Sequence, residues 1–541
     1  MSFVLLAYIG PGAGFALAGS SLAILSAILS AATMLLFWPV RRLIRFLRQK
    51  RPPRKPRFRR IVILGLDGLD YGLTRKLLDE GKLPHLAALQ QEGGFKPLGS
   101  TLPPISPVAW SSFQTGVNPG KHNIFDFLVP DERTYQPKLS SVEIRTVPRR
   151  IGLGPLKWTV GTRPDLKLLR KSQPFWSVLG NYGIFSCIQR VPITFPPEKL
   201  HGVQLSAMCV PDLRGTQGTF SRFTTRAVGD EETTGGEVQQ VARVHGTVRG
   251  ELIGPPHPSD SARGPLKLPF TVALHGEGRS SQKARSRRMP HEATLHIDGA
   301  AHPLRLGEHT DWITVRFRAG RTTIRGVCRF VLCSIEPDFE LYATPINIDP
   351  ERPAMPIGYP SIYPIYLAKR QGPYATLGLA EDTWGLSEQV LDDGQFAQQC
   401  LDIEREREAM FFDGLDKVGR GLCVCVFDGT DRMQHMFWRY HDPGHPARKK
   451  LPRAGAPAGD TSPPAAASGF AHAIEELYVR MDGLVGRTVR ACRGDDTLLM
   501  VLSDHGFTSF RRGVDLNRWL EENGYLVVDD ARRNEPHLAG I

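Results

Sequence analysis

The chain has 541 residues, 41% of them hydrophobic and 23% charged, with a formal net charge of +13. That is an ordinary globular balance on a chain long enough for two or three domains. Eleven Lys and Arg and no acid lie between Arg41 and Arg60, so removing those eleven from the +13 leaves only +2 for the rest; this argues against a basic nucleic-acid-binding surface, and no nucleic-acid partner is expected.

In chain order, no charged residue occurs from Ser2 to Val40, and FALAGSSLAILSAILSAATMLLFW (Phe15 to Trp38) is an uninterrupted apolar segment. Crossing a bilayer as a helix takes about 20 residues. A secretory signal peptide places its basic residues before the apolar run. Here they follow it, so residues 1–40 read as a retained membrane anchor and 41–60 as a basic juxtamembrane linker. The preference of Lys and Arg for the cytoplasmic side predicts a single-pass cell-membrane protein with its body in the cytoplasm and its N-terminus outside. Anionic headgroups would hold the basic segment against the inner leaflet. The eight cysteines (187, 209, 328, 333, 400, 423, 425, 492) show no disulfide-framework or zinc-finger spacing, which suits a reducing compartment.

At Ile61 the pattern becomes IVILGLDG, an apolar β-branched run that stops at Asp67-Gly68 and reads as a central parallel strand. A helical pattern follows from Leu73 to Gly94, and strand then helix opens an α/β unit. Residues 61–212 are therefore the first part of an α/β catalytic core. From 213 to 345 the stretches LPFTVAL, ATLHIDG, DWITVRFR and TTIRGVCRFVLCSI alternate with a period of two between Gly, Pro and Ser. They predict an antiparallel β-rich insertion, with a turn at Asp298-Gly299 and a solvated basic loop at Arg279 to Arg288. Residues 346–541 return to α/β character: a helix over Glu404 to Val418, the strand CVCVFDGTD (Cys423 to Asp431), a helix over Phe470 to Val489, and the strand TLLMVLSDHG. Between them, Arg453 to Ser468 is low-complexity linker.

Three apolar strands thus end in Asp67, in Asp431 and in the pair Asp504-His505. The carboxyl ends of strands in an open parallel sheet line one crevice, so the three should converge. An Asp-Gly after a strand is explained by a turn or a helix cap alone, but a turn has no use for the imidazole of His505. Asp431 and His435 are four apart, which on a helix puts both on one face, as a metal requires. Ser106-Pro107 ahead of VAWSSFQTG reads as a helix start, with Ser at the N-cap. A hydroxyl there also sits where backbone N–H groups and the helix dipole favour an anion, which suits a nucleophile attacking phosphate.

Asp67 after the first strand, Ser106 ahead of TGxNPxxH (Thr115 to His122), Asp-x3-His and Asp-His-Gly, in this order, resemble the alkaline phosphatase superfamily. Within it the likeness is to the type I phosphodiesterase/nucleotide pyrophosphatase group and its bacterial membrane-anchored relatives. SPVAWSSFQTGVNPGKHNIFDF, VPITFPPEKLHGVQLSAMCVPDLRGTQGTF and FDGTDRMQHMFWRYHDP carry it, and it covers most of residues 58–541.

The resemblance implies an α/β fold with a doubly wound, mainly parallel sheet, interrupted by the β-rich insertion and preceded by one transmembrane helix. It also implies two divalent metal ions, zinc with manganese as the alternative. One would be held by Asp67, Asp504 and His505 and bind the hydroxyl of Ser106; the other would be held by Asp431 and His435. Ser106, where relatives often carry Thr, would form a phosphoserine intermediate with a small-molecule or lipid-linked phosphoester. A sulfatase would need x-Pro-x-Arg after its nucleophile, and Ser106 is followed by Pro-Val-Ala-Trp. The family pattern supplies a further His to the second metal, downstream of Asp-His-Gly. The only histidine in that tail is His537, in NEPHLAGI, whose surroundings do not match. The expectation is a truncated member with an incomplete second metal site, and the alternative is a membrane-tethered phosphoester-binding relic without turnover.

Overall fold

A computed structural model describes residues 36–37, 39–40 and 56–527, except 132–135, 154–155, 230–234, 259–262, 276–291, 321, 451–468 and 493–495. Almost all of the apolar segment before Trp38, most of the basic linker, the loop Arg279 to Arg288, the linker Arg453 to Ser468 and His537 fall outside the described residues. Among the described residues no helix is long and apolar enough to cross a membrane. The chain divides into two units, 1–56 with 181–183 and 57–180 with 184–541. Everything below concerns the second.

Six strands build the central sheet: β1 (Arg60–Leu66), β2 (Ser186–Gln189), β3 (Gly202–Leu205), β4 (Gly358–Tyr359), β5 (Gly421–Phe427) and β6 (Thr497–Leu502), in spatial order β4-β3-β2-β5-β1-β6. All neighbours are parallel except β4 and β3. Every residue of β5 is buried, as is every residue of β1 except the half-buried Ile61. That is what an unbroken apolar run predicts for strands covered on both faces. Leu66 lies beside Phe427, and Gly65 beside Leu502. The chain therefore leaves β1, β5 and β6 at one level of one edge.

The helices that matter for the site are α1 (Tyr71–Asp79), α2 (Pro84–Glu92), α3 (Ser106–Thr115), α4 (Asp393–Lys417), α5 (Gly429–His441) and α6 (Ala473–Cys492). Side chains alternate across the sheet. Val62, Leu64, Leu66, Cys423, Cys425 and Phe427 face a core built with α1, α4, α5 and α6, whereas Ile63, Leu422, Val424 and Val426 meet Trp110 of α3 and Trp176. The single helical pattern read over Leu73 to Gly94 is in fact two helices, because Pro84 can begin a helix but not continue one.

Between β3 and β4 the strands form three smaller sheets. Five strands from Arg243–Val244 to Ala300–Arg305 pair antiparallel in sequence order. Ile313–Ala319, Thr322–Cys328 and Asn347–Ile348 make a second sheet, and Phe330–Ser334, Glu340–Ala343, Phe220–Thr224 and Gly236–Gln240 a third. Asp298-Gly299 is a two-residue hairpin turn with φ of 49° and 81°, between the paired residues Ile297 and Ala300. That is the backbone a tight hairpin of this hand requires. The third sheet departs from the antiparallel expectation, since Phe220–Thr224 and Gly236–Gln240 run parallel. A further antiparallel ribbon, Val142–Leu153 with Leu156–Leu168, interrupts the segment read from the sequence as plain α/β core.

Candidate metal centre

The ladder of β1 continues one residue beyond the strand, where Asp67 N–H donates to Phe427 O at 3.0 Å. This fixes the backbone of Asp67 at the sheet edge, with its carboxylate buried. Its Oδ1 accepts from Ser106 Oγ at 3.0 Å and its Oδ2 from Trp110 Nε1 at 2.9 Å. Ser106 and Trp110 are one turn apart on α3, so the helix presents both to the same carboxylate. Ser106 is not the N-cap expected from the sequence. Ile105 caps α3, and Ser106 is its first residue, with its hydroxyl turned to Asp67 and, at 3.1 Å, to His505 Nε2.

The loop after β6 supplies the other side. Asp504 Oδ1 accepts from Gly68 N–H at 3.2 Å, while Asp504 Oδ2 is buried without a hydrogen bond. His505 Nδ1 lies 2.9 Å from Gly506 O. A carbonyl only accepts, so Nδ1 carries a proton, and Nε2 is the ring nitrogen left to face the carboxylates. Nε2 faces electron-rich atoms: Asp67 Oδ1 and Asp504 Oδ2, each 3.6 Å away, and Ser106 Oγ at 3.1 Å. Neighbouring ligands on a tetrahedral zinc stand about 3.3–3.5 Å apart. One ligand atom each from Asp67, Asp504 and His505 falls within 4.8 Å of the others, and this is the one such group of three among the described residues. Carboxylate oxygens plus a neutral imidazole are the donor set zinc takes, and Asp504 Oδ2 has no hydrogen-bond partner among the described residues. These residues fit a divalent cation.

Asp431 and His435 extend the site along α5. Asp431 Oδ2 is paired with Arg432 Nη1 at 2.8 Å, and Asp431 Oδ1 is buried without a hydrogen bond, 3.3 Å from His435 Nε2 and 3.9 Å from His505 Nε2. His435 is half-exposed, its ring edge-on to Phe507 at 4.8 Å. Asp428, the earlier acid of the FDGTD run, is occupied differently, with Oδ1 2.7 Å from Arg407 Nη2.

Electrostatics divide the three carboxylates. Burial, and after it the charges of Asp504 and Asp431, hold Asp67 well above the usual carboxylate range. Burial also raises Asp504, against the opposing pull of His505. For Asp431, burial is outweighed by Arg432 and the nearby imidazoles, and its pKa lies below the usual value. Crowded buried anions of this kind are relieved by a cation.

All six residues singled out from the sequence, Asp67, Ser106, Asp431, His435, Asp504 and His505, lie at this edge of β1, β5 and β6, linked by contacts of 3.9 Å or less. Sequence reading passed over Trp110, Arg432, Gln434 and Tyr478. The spacing of Trp110 four residues after Ser106 was available as a signal. Nothing local marks Tyr478, which arrives on α6.

A largely parallel sheet with helices on both faces, and at its edge a serine hydroxyl at a helix start beside Asp and His from two strand ends and from α5, agree with an alkaline-phosphatase-like protein. The chain belongs to the type I phosphodiesterase/nucleotide pyrophosphatase family, whose model matches residues 61–209 and 359–540. The unmatched span between those segments contains all three small sheets. No curated protein and no solved structure matches the chain.

Proposed function

We propose that the protein hydrolyses phosphoric esters in a divalent-metal-dependent reaction with Ser106 as nucleophile, and that residues 1–60 tether it to the cell membrane by one span with the catalytic part on the cytoplasmic side. The observation that carries the catalytic reading is Ser106 Oγ, held at the first turn of α3 within 3.0 Å of Asp67 Oδ1 and 3.1 Å of His505 Nε2. A serine that served only to start the helix would spend its hydroxyl on a backbone N–H.

Asp67, Asp504 and His505 would hold one ion, zinc or manganese, and Asp431 and His435 a second. When bound, such ions acidify a hydroxyl, polarise the phosphoryl oxygens and stabilise the departing oxygen. Asp67 orients Ser106 through their hydrogen bond, and Trp110 holds Asp67 from its other oxygen. The amino end of α3 favours the anionic phosphoryl group. Ser106 Oγ forms a bond to phosphorus as the ester P–O bond breaks; the hydroxyl proton ends on the departing oxygen, which leaves as the alcohol or nucleotide fragment, and the phosphoryl group stays on Ser106 as a phosphoserine. Water then attacks the same phosphorus as the Oγ–P bond breaks; one of its protons returns to Ser106 Oγ, and its oxygen leaves on the phosphate product. The proposed substrates are small-molecule or lipid-linked phosphoesters.

The test is hydrolysis of a chromogenic phosphodiester and the matching monoester by the full chain with added zinc or manganese, beside Ser106→Ala. Turnover that needs metal and falls at least about 10³-fold in the variant supports the reading. Undiminished turnover in the variant removes Ser106 as nucleophile. No turnover by folded, metal-supplied protein removes the hydrolase and leaves a phosphoester-binding module.

A further inference from the structure

Gln434 lies on α5 between Asp431 and His435 and is wholly buried. Its carboxamide donates from Nε2 to Gly68 O at 2.7 Å and to Thr430 O at 3.2 Å, and accepts at Oε1 from the Tyr478 hydroxyl at 2.9 Å. The Tyr478 oxygen, on α6 and also buried, accepts from Asp70 N–H at 2.8 Å. A phenol has one proton to give, and here it goes to Gln434, so the direction of every bond is fixed. A flipped carboxamide would set Oε1 against Gly68 O. The chain of bonds starts and finishes on the turn that follows Asp67, at Gly68 and Asp70, and it ties that turn to both α5 and α6.

The turn is already close against Asp431. Gly68 has φ of +68°, and a Cβ there would stand 3.1 Å from Asp431 Oδ1. The backbone of Gly68 also donates to Asp504 Oδ1. Whatever fixes this turn on α5 fixes the gap between Asp67 and Asp504 on one side and Asp431 and His435 on the other.

We infer that Gln434 and Tyr478 are positioning residues that set the separation of the two metal-holding groups. Through it they set how tightly the Asp431/His435 side holds its ion relative to the Asp67/Asp504/His505 side. This rests on the two-metal reading of the centre given above. Among the described residues the Asp431/His435 side offers fewer protein ligands, so it is the side that depends more on the tie.

The experiment is a zinc titration of the metal-free full chain against a chromogenic chelator, which resolves the tighter and weaker uptake steps without reference to activity. Tyr478→Phe keeps the ring and removes both hydrogen bonds; Gln434→Met keeps the length and removes all three. Each variant is expected to weaken the weaker step by roughly 10-fold or more, the usual size of an outer-shell effect, and to leave the tighter step within about twofold. The loss in the double variant should be smaller than the sum of the two single losses, because the hydrogen bond between Tyr478 and Gln434 is shared. Equal weakening of both steps marks a general loosening of the fold and overturns the inference, as do unchanged steps or additive losses. A wild-type chain that takes up fewer than two zinc ions overturns the two-metal reading itself, and the inference with it.

Discussion

Asp504 puts a charge where the fold alone would not want one. It is buried beside Asp67 and Asp431, its pKa is raised chiefly by that burial, and Oδ2 has no hydrogen bond. Asparagine has nearly the same shape and keeps an oxygen for Gly68 N–H. Asp504→Asn should therefore raise the melting midpoint of the metal-free protein by roughly 2–4 °C, while abolishing the gain that wild type shows on adding zinc. A variant that melts below wild type without metal would show that the carboxylate is structural. The six site residues were legible one by one, because each stands where a local pattern stops: an apolar strand meeting an acid, a helix beginning at Ser-Pro, an Asp and a His one turn apart. Gln434 and Tyr478 were not. Their meaning comes from a hydrogen bond between residues 44 positions apart on two helices, and no local periodicity encodes that.

The long helix α4 shows what burial does to an element that looked simply amphipathic. Its capping box, Asp392 with Gln395, starts it well before the Glu404 at which the sequence pattern began. The earlier turns were missed because their buried face is mixed, with Gln395, Gln399 and Cys400 among its residues. Glu404 is buried on this helix, with Arg480 Nε 3.6 Å away on α6. Burial pushes its carboxyl up to about 7; Glu408 and Glu381 add to the rise, and Arg480 and Arg407 oppose it. The folded chain thus holds this proton more tightly than the unfolded chain. The associated stability is fully present below about pH 4.5 and is lost as pH rises to about 7. Glu404→Gln, neutral throughout, should gain on wild type by roughly 2–4 kcal/mol between pH 4.5 and 8. Denaturant midpoints for both proteins at the two pH values check this. Parallel curves would show that Arg480 keeps Glu404 ionised in the folded state.

Across the whole molecule, three strands of the central sheet, β1, β5 and β6, were legible, the short β2, β3 and β4 of 4, 4 and 2 residues were not, and the insertion was legible only as β structure. Strands such as β1 and β5 are specified by their own apolar runs. In the third small sheet, by contrast, Phe220–Thr224 pairs with Glu340–Ala343 from the far side of the insertion, and a period of two says nothing about which distant strand will be the partner. Charge is the other property set at this scale. Eleven of the thirteen net positive charges sit in residues 41–60, directly after the uncharged apolar segment. Two forces could then hold the protein at a membrane, and they differ in salt dependence. Attraction of Lys and Arg to anionic lipid is screened within about 8 Å at physiological ionic strength and within about 3 Å at 1 M. Burial of an apolar helix is not screened. If residues 15–38 span the bilayer, the full chain should stay in the membrane fraction after a 1 M salt wash and leave it only with detergent. A chain held by the basic segment alone would be released by the salt. With the span in place, a protease-accessible tag at the carboxyl end should be cut only after the cytoplasmic face is opened. Cleavage in intact cells would place the catalytic part outside and reverse the orientation drawn from the basic residues.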